Sequence, residues 1–289
     1  MAKYRKILAA FDGSPSARNA LVQACHMAKM DKSWLKVLAV LPAYEGELEL
    51  VGVSRIRETI TGPGQTLLNE AKAIADTADV HILASVEQGE PYERIIHVAD
   101  DENCDLIVMG RRGLTRLDRW LIGSVTARVI GYTRKDVLVV PATATLDWRH
   151  LLLATDGSSH NKAAVAKAIA IAKMRRAKLT AISVAYTNDE LSDLAPEAVN
   201  VLIRQAQELL QATKQQAARE GVALETVVRA DEPQDAILAL AAKIKPSLIV
   251  MGSHGRKGLT RLLMGSVTEH VIGLGDSPVL VSHRGGSAT

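Results

Sequence analysis

The sequence predicts an α/β protein of two tandem doubly wound domains, each a five-stranded parallel sheet of order 3-2-1-4-5 flanked by helices. Three observations lead there. Short aliphatic runs alternate with helical patterns along the whole chain. KILAAFDGS (6–14) returns as HLLLATDGS (150–158), and DLIVMG (105–110) returns as SLIVMG (247–252), at offsets of 144 and 142 residues. DVLVV (136–140) returns as SPVLV (277–281) at nearly the same offset. A period this long marks two whole domains rather than a solenoid of short repeats. The join falls in PATATLDWRH (141–150), which gives domains of residues 1–145 and 146–289.

The elements follow in order. The first half reads as strand 6–11, helix 15–30, strand 35–41, a helix near 63–78 and strand 80–87. Helix 91–102, strand 105–110, helix 124–133 and strand 137–140 complete it. The second half reads as 150–155, 159–175, 178–185, 197–220, 222–229, 233–244, 247–252, 266–274 and 278–282. Its strands, like those of the first, are near-continuous Val, Ile and Leu runs, as expected when helices cover both faces of a sheet. The helix over 198–219 places Val199, Leu202, Ile203, Ala206, Leu209 and Leu210 on one face. Ser14 and Ser158 read as helix N-caps.

Composition narrows the function. Of 289 residues, 47% are apolar, enough for a sizeable core, but only 3% are aromatic, so the core is aliphatic. Scarce aromatics argue against stacking platforms for single-stranded nucleic acid. The net charge is +3, and the halves carry 18 basic against 18 acidic and 17 against 14 residues, so neither is a polybasic domain. Cys25 and Cys104 sit in apolar-periodic stretches without a CxxC and read as buried free thiols, which fits a reducing cytosol. The apolar run before Asp12 is too short for a signal peptide, and no run approaches 18 residues, so neither export nor a membrane span is expected.

The chemistry lies in a spacing that occurs twice. Gly110-x2-Gly113-x9-Gly123-Ser124 in the first half recurs as Gly252-x2-Gly255-x9-Gly265-Ser266 in the second. Each copy starts at the end of an LIVMG strand and closes in Gly-Ser-Val-Thr at the start of a helix. Glycine lets backbone approach a ligand, and a helix start offers N–H groups to an anion. In a 3-2-1-4-5 sheet the strand order reverses between the first and fourth strands, where ligands bind. The DGS turns (12–14, 156–158) follow the first strand and the glycine loops follow the fourth, so both converge on one crevice per half. Asp12 and Asp156 end the first strands, either capping the next helix or bonding a ligand or a metal near its phosphates. Arg111, Arg112, Arg116 and Arg119 crowd the first glycine loop and Arg256, Lys257 and Arg261 the second, as a solvated face or as phosphate contacts. His254 has no histidine counterpart and reads as a loop residue. There is no GxxxxGK[ST], no GxGxxG after the first strand, and no HExxH, GxSxG or kinase motif set.

At these residues the chain resembles the universal stress protein family in its tandem form, whose ATP-binding signature has the G-2x-G-9x-G-[ST] spacing. The likeness runs over nearly the whole chain, and MGSHGRKGLTRLLMGSVTEHVI is the closer copy. The resemblance implies that Asp12 and Asp156 contact the nucleotide and that Val40 and Val184 offer backbone to adenine. Met109 and Met251 would line the crevices. Gly110, Gly113, Gly123, Ser124 and Val125, with Gly252, Gly255, Gly265, Ser266 and Val267, would hold ribose and phosphates. It implies ATP or ADP as ligand, with or without Mg2+, a cytoplasmic regulatory or stress-response role, and pairing of Val137–Val140 with Val279–Ser282 or with a second chain. The alternatives are a slow ATPase or adenylate-handling enzyme, and an interaction scaffold with relic sites.

Overall fold

The computed structural model describes residues 3–41, 53–113, 122–159, 161–188, 194–255 and 264–283, with backbone alone for 53–61. The chain forms two compact units whose main division falls between Thr143 and Ala144, with Lys3 and Ile122 grouped with the second. The first holds β1 (Lys6–Ala10), α1 (Pro15–Asp31), β2 (Trp34–Leu41), α2 (Val53–Thr77), β3 (Leu83–Gln88), α3 (Pro91–Asp101), β4 (Leu106–Gly110), α4 (Ser124–Tyr132) and β5 (Asp136–Val140). The second holds β6 (His150–Ala154), α5 (Lys162–Arg175), β7 (Lys178–Tyr186), α6 (Pro196–Arg219), β8 (Leu224–Asp231), α7 (Pro233–Ile244), β9 (Leu248–Gly252), α8 (Ser266–Leu274) and β10 (Val279–Ser282).

Within the first unit the strands run β3-β2-β1-β4-β5, all parallel. Within the second they run β8-β7-β6-β9-β10, also parallel. This is the doubly wound order the sequence predicts, in both halves. The central strands explain it: β4 and β9 are buried at every position, because helices cover both faces. Ile7, Leu8, Leu106 and Ile107 are buried in one core and Leu151, Leu152, Leu248 and Ile249 in the other. Each such side chain contributes about 1.5–3 kcal/mol by leaving water. Cys25 and Cys104 are buried free thiols, as read from their surroundings. Burial pushes both up to about 11. Near the start of the chain the buried Tyr4 hydroxyl donates to Asp136 Oδ2 at 2.7 Å, tying this segment to β5.

Two sequence expectations need correction. The helix expected near 63–78 starts at Val53 and carries Pro63 inside it. Proline there forgoes a bond to the carbonyl four residues back. The following Gly64 brings the helix onto the sheet, since a Cβ there would lie 3.1 Å from Leu41 and Val86 side-chain carbons. Close packing thus overrides a Gly-Pro-Gly signal that reads as a boundary. The helix expected at 159 begins at Lys162, and its N-cap is Asn161, not Ser158. Ser14, by contrast, is the N-cap of α1, its hydroxyl accepting from Ala17 N–H at 3.2 Å. Among the described residues no helix is long and apolar enough to cross a membrane.

Candidate functional site

In each half the motif residues gather at the ends of the first and fourth strands. After β1 and β6 the chain turns at Gly13 and Gly157, with φ of +76° and +75°, a region that favours glycine. A Cβ at either position would also meet a leucine, Leu67 at 2.9 Å or Leu209 at 2.8 Å. The turn is pinned by the preceding aspartate. Asp12 Oδ1 accepts the Ser14 N–H at 2.9 Å, and Asp156 Oδ1 accepts the Ser158 N–H at 2.9 Å. The other carboxylate oxygen reaches the glycine loop: a Cβ at Gly113 would lie 2.7 Å from Asp12 Oδ2, and one at Gly255 2.9 Å from Asp156 Oδ2. The middle glycine of each signature is therefore the position against which the aspartate sits.

The outer glycines have different reasons. A Cβ at Gly110 would lie 2.7 Å from the backbone of Ser16 and Ala17, so this glycine lets α1 pack onto β4. Gly123 and Gly265 are the N-cap residues of α4 and α8, with no side chain to cap the first turn. Each donates its N–H to the turn after the fourth strand, to Arg111 O and Ser253 O respectively, at 2.9 Å. Thr126 and Thr268 hydroxyls donate to the carbonyls of Gly110 and Gly252, both at 3.0 Å. The helix N-termini that follow carry partial positive charge.

The halves fasten this frame differently. In the first, Ser14 and Ser16 hydroxyls donate to the Arg112 carbonyl, and Arg112 N–H donates back to Ser16 Oγ at 3.3 Å. In the second, the Asn161 amide donates to Asp156 Oδ1 at 2.8 Å and accepts from Gly252 N–H at 3.2 Å. Among the described residues the buried Ser158 Oγ has no hydrogen-bond partner.

All eight residues expected in the second half, Asp156, Val184, Met251, Gly252, Gly255, Gly265, Ser266 and Val267, line one cavity of about 530 Å³. Its volume is in the range of small-molecule sites. In the first half, contacts join Asp12 to Gly113, Gly110 to α1, and Gly123 to residues 111–113. Val40 is in register with Glu87 and Met109 with Val139, while Ser124 and Val125 open α4. Arg116, Arg119, Arg256, Lys257 and Arg261 lie outside the described residues. Arg111 and Arg112 are half-buried. His254 lines the cavity, its Nδ1 3.2 Å from Ser253 Oγ.

Sequence reasoning missed several lining residues: Asn161, Tyr186, Glu232, Gln234 and Ile237. Asn161 was within reach, because aligning the DGS turns sets it opposite Ala17 and exposes a polar replacement. Leu202 and Ala206 were read as helix core and form the apolar wall. Among the described residues no three His, Cys, Asp or Glu side chains gather as a metal site.

Comparison with known proteins agrees with this architecture. The universal stress protein family model matches twice, at residues 3–141 and 147–283. A universal stress protein of Mycobacterium tuberculosis is 31% identical over 149 residues, 50% of this chain and 100% of that protein. One of Methanocaldococcus jannaschii is 36% identical over 145 residues, 47% of this chain and 82% of that protein. The crystal structure of a universal stress protein from Archaeoglobus fulgidus shares the fold, with a TM-score of 0.73 at 23% identity over 97% of this chain and 98% of that one. With two family domains in tandem, the chain belongs to the universal stress protein family.

Proposed function

We propose that this protein binds adenine nucleotides, ATP or ADP with or without Mg2+, in one crevice per half, and serves as a cytoplasmic regulatory or stress-response factor. The observation that carries the reading is the convergence of eight motif residues from four separate segments on one cavity. The chemistry suits such a ligand. Ile182, Leu202, Ala206 and Ile237 supply apolar walls for a base. Ser266 and Val267, in the first turn of α8, supply N–H groups for phosphates. The signature of the first half is spaced identically and is assigned the same role, with Asp12, Val40, Met109, Gly110, Gly113, Gly123, Ser124 and Val125 around it. The domain boundary is proposed at residues 145 and 146. β5 and β10 each stand last in the order of their own half, so the reading extends to pairing of these strands with each other or with a second chain.

The test is calorimetric titration of the full chain with ATP. Two nucleotides per chain are expected. A stoichiometry of one means that one half has lost its site, and none overturns the reading. Sustained phosphate release above background would move the protein to the ATPase class.

A further inference from the structure

Each half places a Glu-Pro dipeptide where its third strand hands over to the next helix: Glu90-Pro91 after β3 and Glu232-Pro233 after β8. In both, the glutamate is the N-cap residue with extended backbone, and in neither does its side chain bond its own helix. In the first half that carboxylate is committed elsewhere. Arg128 Nη1 lies 3.0 Å from Glu90 Oε1, and its guanidinium sits 5.2 Å from the ring centroid of Tyr92. Tyr92 in turn packs on Tyr132, their ring centroids 5.6 Å apart.

The second half replaces every other member of that cluster. Gln234 stands for Tyr92, His270 for Arg128 and Leu274 for Tyr132. The His270 ring is occupied by its own helix, with Nδ1 2.8 Å from the Ser266 carbonyl. Among the described residues no cation pairs with Glu232, and its described side-chain partner is Gln234 Nε2 at 3.5 Å. Glu232 and Gln234 both line the cavity. The preceding residue, Asp231, is in register with Tyr186, two residues beyond Val184. Glu232 thus stands at the β7–β8 end, whereas the glycine loop and its anion-binding N–H groups follow β9. A carboxylate repels phosphate and accepts hydrogen bonds, so it suits a donor on the ligand.

We infer that Glu232 is a specificity residue that accepts a hydrogen bond from the exocyclic amine of the bound base, and that Glu90, held by Arg128, does not do this in the first half. The inference rests on the nucleotide reading. Replacing the amine by a carbonyl, as in inosine triphosphate, sets acceptor against acceptor. Hydrogen bonds to charged groups contribute about 1.5–3 kcal/mol, roughly 10- to 100-fold in affinity.

The experiment is calorimetric titration of the full chain with ATP and with inosine triphosphate, for the parent, Glu232→Gln and Glu90→Gln, with thermal unfolding as the folding control. The parent is expected to have a site that prefers ATP at least about tenfold. Glu232→Gln, whose amide can donate to the carbonyl, should bring the two ligands within about threefold, and Glu90→Gln should leave the preference intact. Should Glu232→Gln fold poorly, Glu232→Ala replaces it, with ATP affinity falling toward that of inosine triphosphate. ATP binding with an unchanged preference in the Glu232 variant overturns this inference alone, as does an equal shift in Glu90→Gln. No ATP binding by the parent overturns the nucleotide reading beneath it.

Discussion

In the first half two serine hydroxyls hold the Arg112 carbonyl, whereas in the second one asparagine amide links Asp156 to the Gly252 N–H. Other contacts are shared by the two halves almost to the tenth of an ångström. The aspartate accepts its serine N–H at 2.9 Å, the N-cap glycine donates to the preceding turn at 2.9 Å, and the threonine hydroxyl reaches the strand-end carbonyl at 3.0 Å. The repeat separates two kinds of contact. Those kept in both copies shape the loop around the aspartate, while those that differ hold it in place and tolerate substitution as long as the buried polar groups find partners.

The largest effect expected comes from packing in the first half. Gly110→Ala would set a Cβ 2.7 Å from backbone atoms of α1, which cannot rotate away. A loss of about 3 kcal/mol in the stability of the first half is expected, because overpacking strains a filled core. Denaturant unfolding with peptide-resolved proteolysis reads it, and a change under about 0.5 kcal/mol would show that α1 yields.

Alkaline pH should separate the halves next. Both cysteines belong to the first half, each pushed up to about 11 by burial, and Tyr4 beside Asp136 is raised well above its ordinary value, also mainly by burial. These groups are neutral when protonated, and the unfolded chain gives up its protons first. Their stabilising effect is complete below the unfolded thiol range and is lost as pH rises through about 9 toward 11. The two thiols together should cost about 2–3 kcal/mol by pH 10.5. A Cys25→Ala/Cys104→Ala variant should lose the thiol part of this slope and keep that of Tyr4, and an identical pH profile in parent and variant would reject the cause.

Removing the fasteners should have smaller and unequal effects. Asn161→Ala deprives two groups at once, one of them a buried N–H, at a cost of about 2 kcal/mol. Ser16→Ala leaves the Arg112 carbonyl to Ser14 and removes the long 3.3 Å acceptor of the half-buried Arg112 N–H, and should cost about 1 kcal/mol. A larger effect in the first half would invert the comparison. As small should be Gly123→Ala and Gly265→Ala, where the nearest atoms to a Cβ lie at 3.3 Å in both copies. About 1 kcal/mol is expected for each, and the two should agree within about 0.5 kcal/mol. Unequal values would show that the shared contacts are not equivalent.

Much of this was legible beforehand, for reasons that particular residues make plain. LIVMG is apolar at every side chain because β4 and β9 are covered on both faces, so those strands announce themselves. The convergence of the DGS turn on the glycine loop follows from strand order alone. The start of α2 was misread because a Gly-Pro-Gly stretch signals a boundary locally, whereas its contact with Leu41 and Val86 is remote in sequence. Ser158 was misread for a similar reason. A serine after Asp-Gly caps a helix in the first half, but in the second the helix starts after Asn161, whose side chain is engaged with Asp156 and Gly252.

Periodicity, strand composition and the doubled glycine spacing are local or nearly local properties, and they were enough to set the fold class, the strand order and the meeting of DGS turn and glycine loop in each half. What each glycine is for was decided only in three dimensions. Gly110 makes room for a helix, Gly113 and Gly255 for an aspartate, and Gly123 and Gly265 for the turn before a helix, although all five look alike in the motif. The engagement of Glu90 and the lack of a described cation beside Glu232 are likewise invisible in a string where both precede proline. The physical reason is the same in each case: a side chain's partner is chosen by proximity after folding, and residues 38 positions apart, such as Glu90 and Arg128, become neighbours only when the helices that carry them pack together.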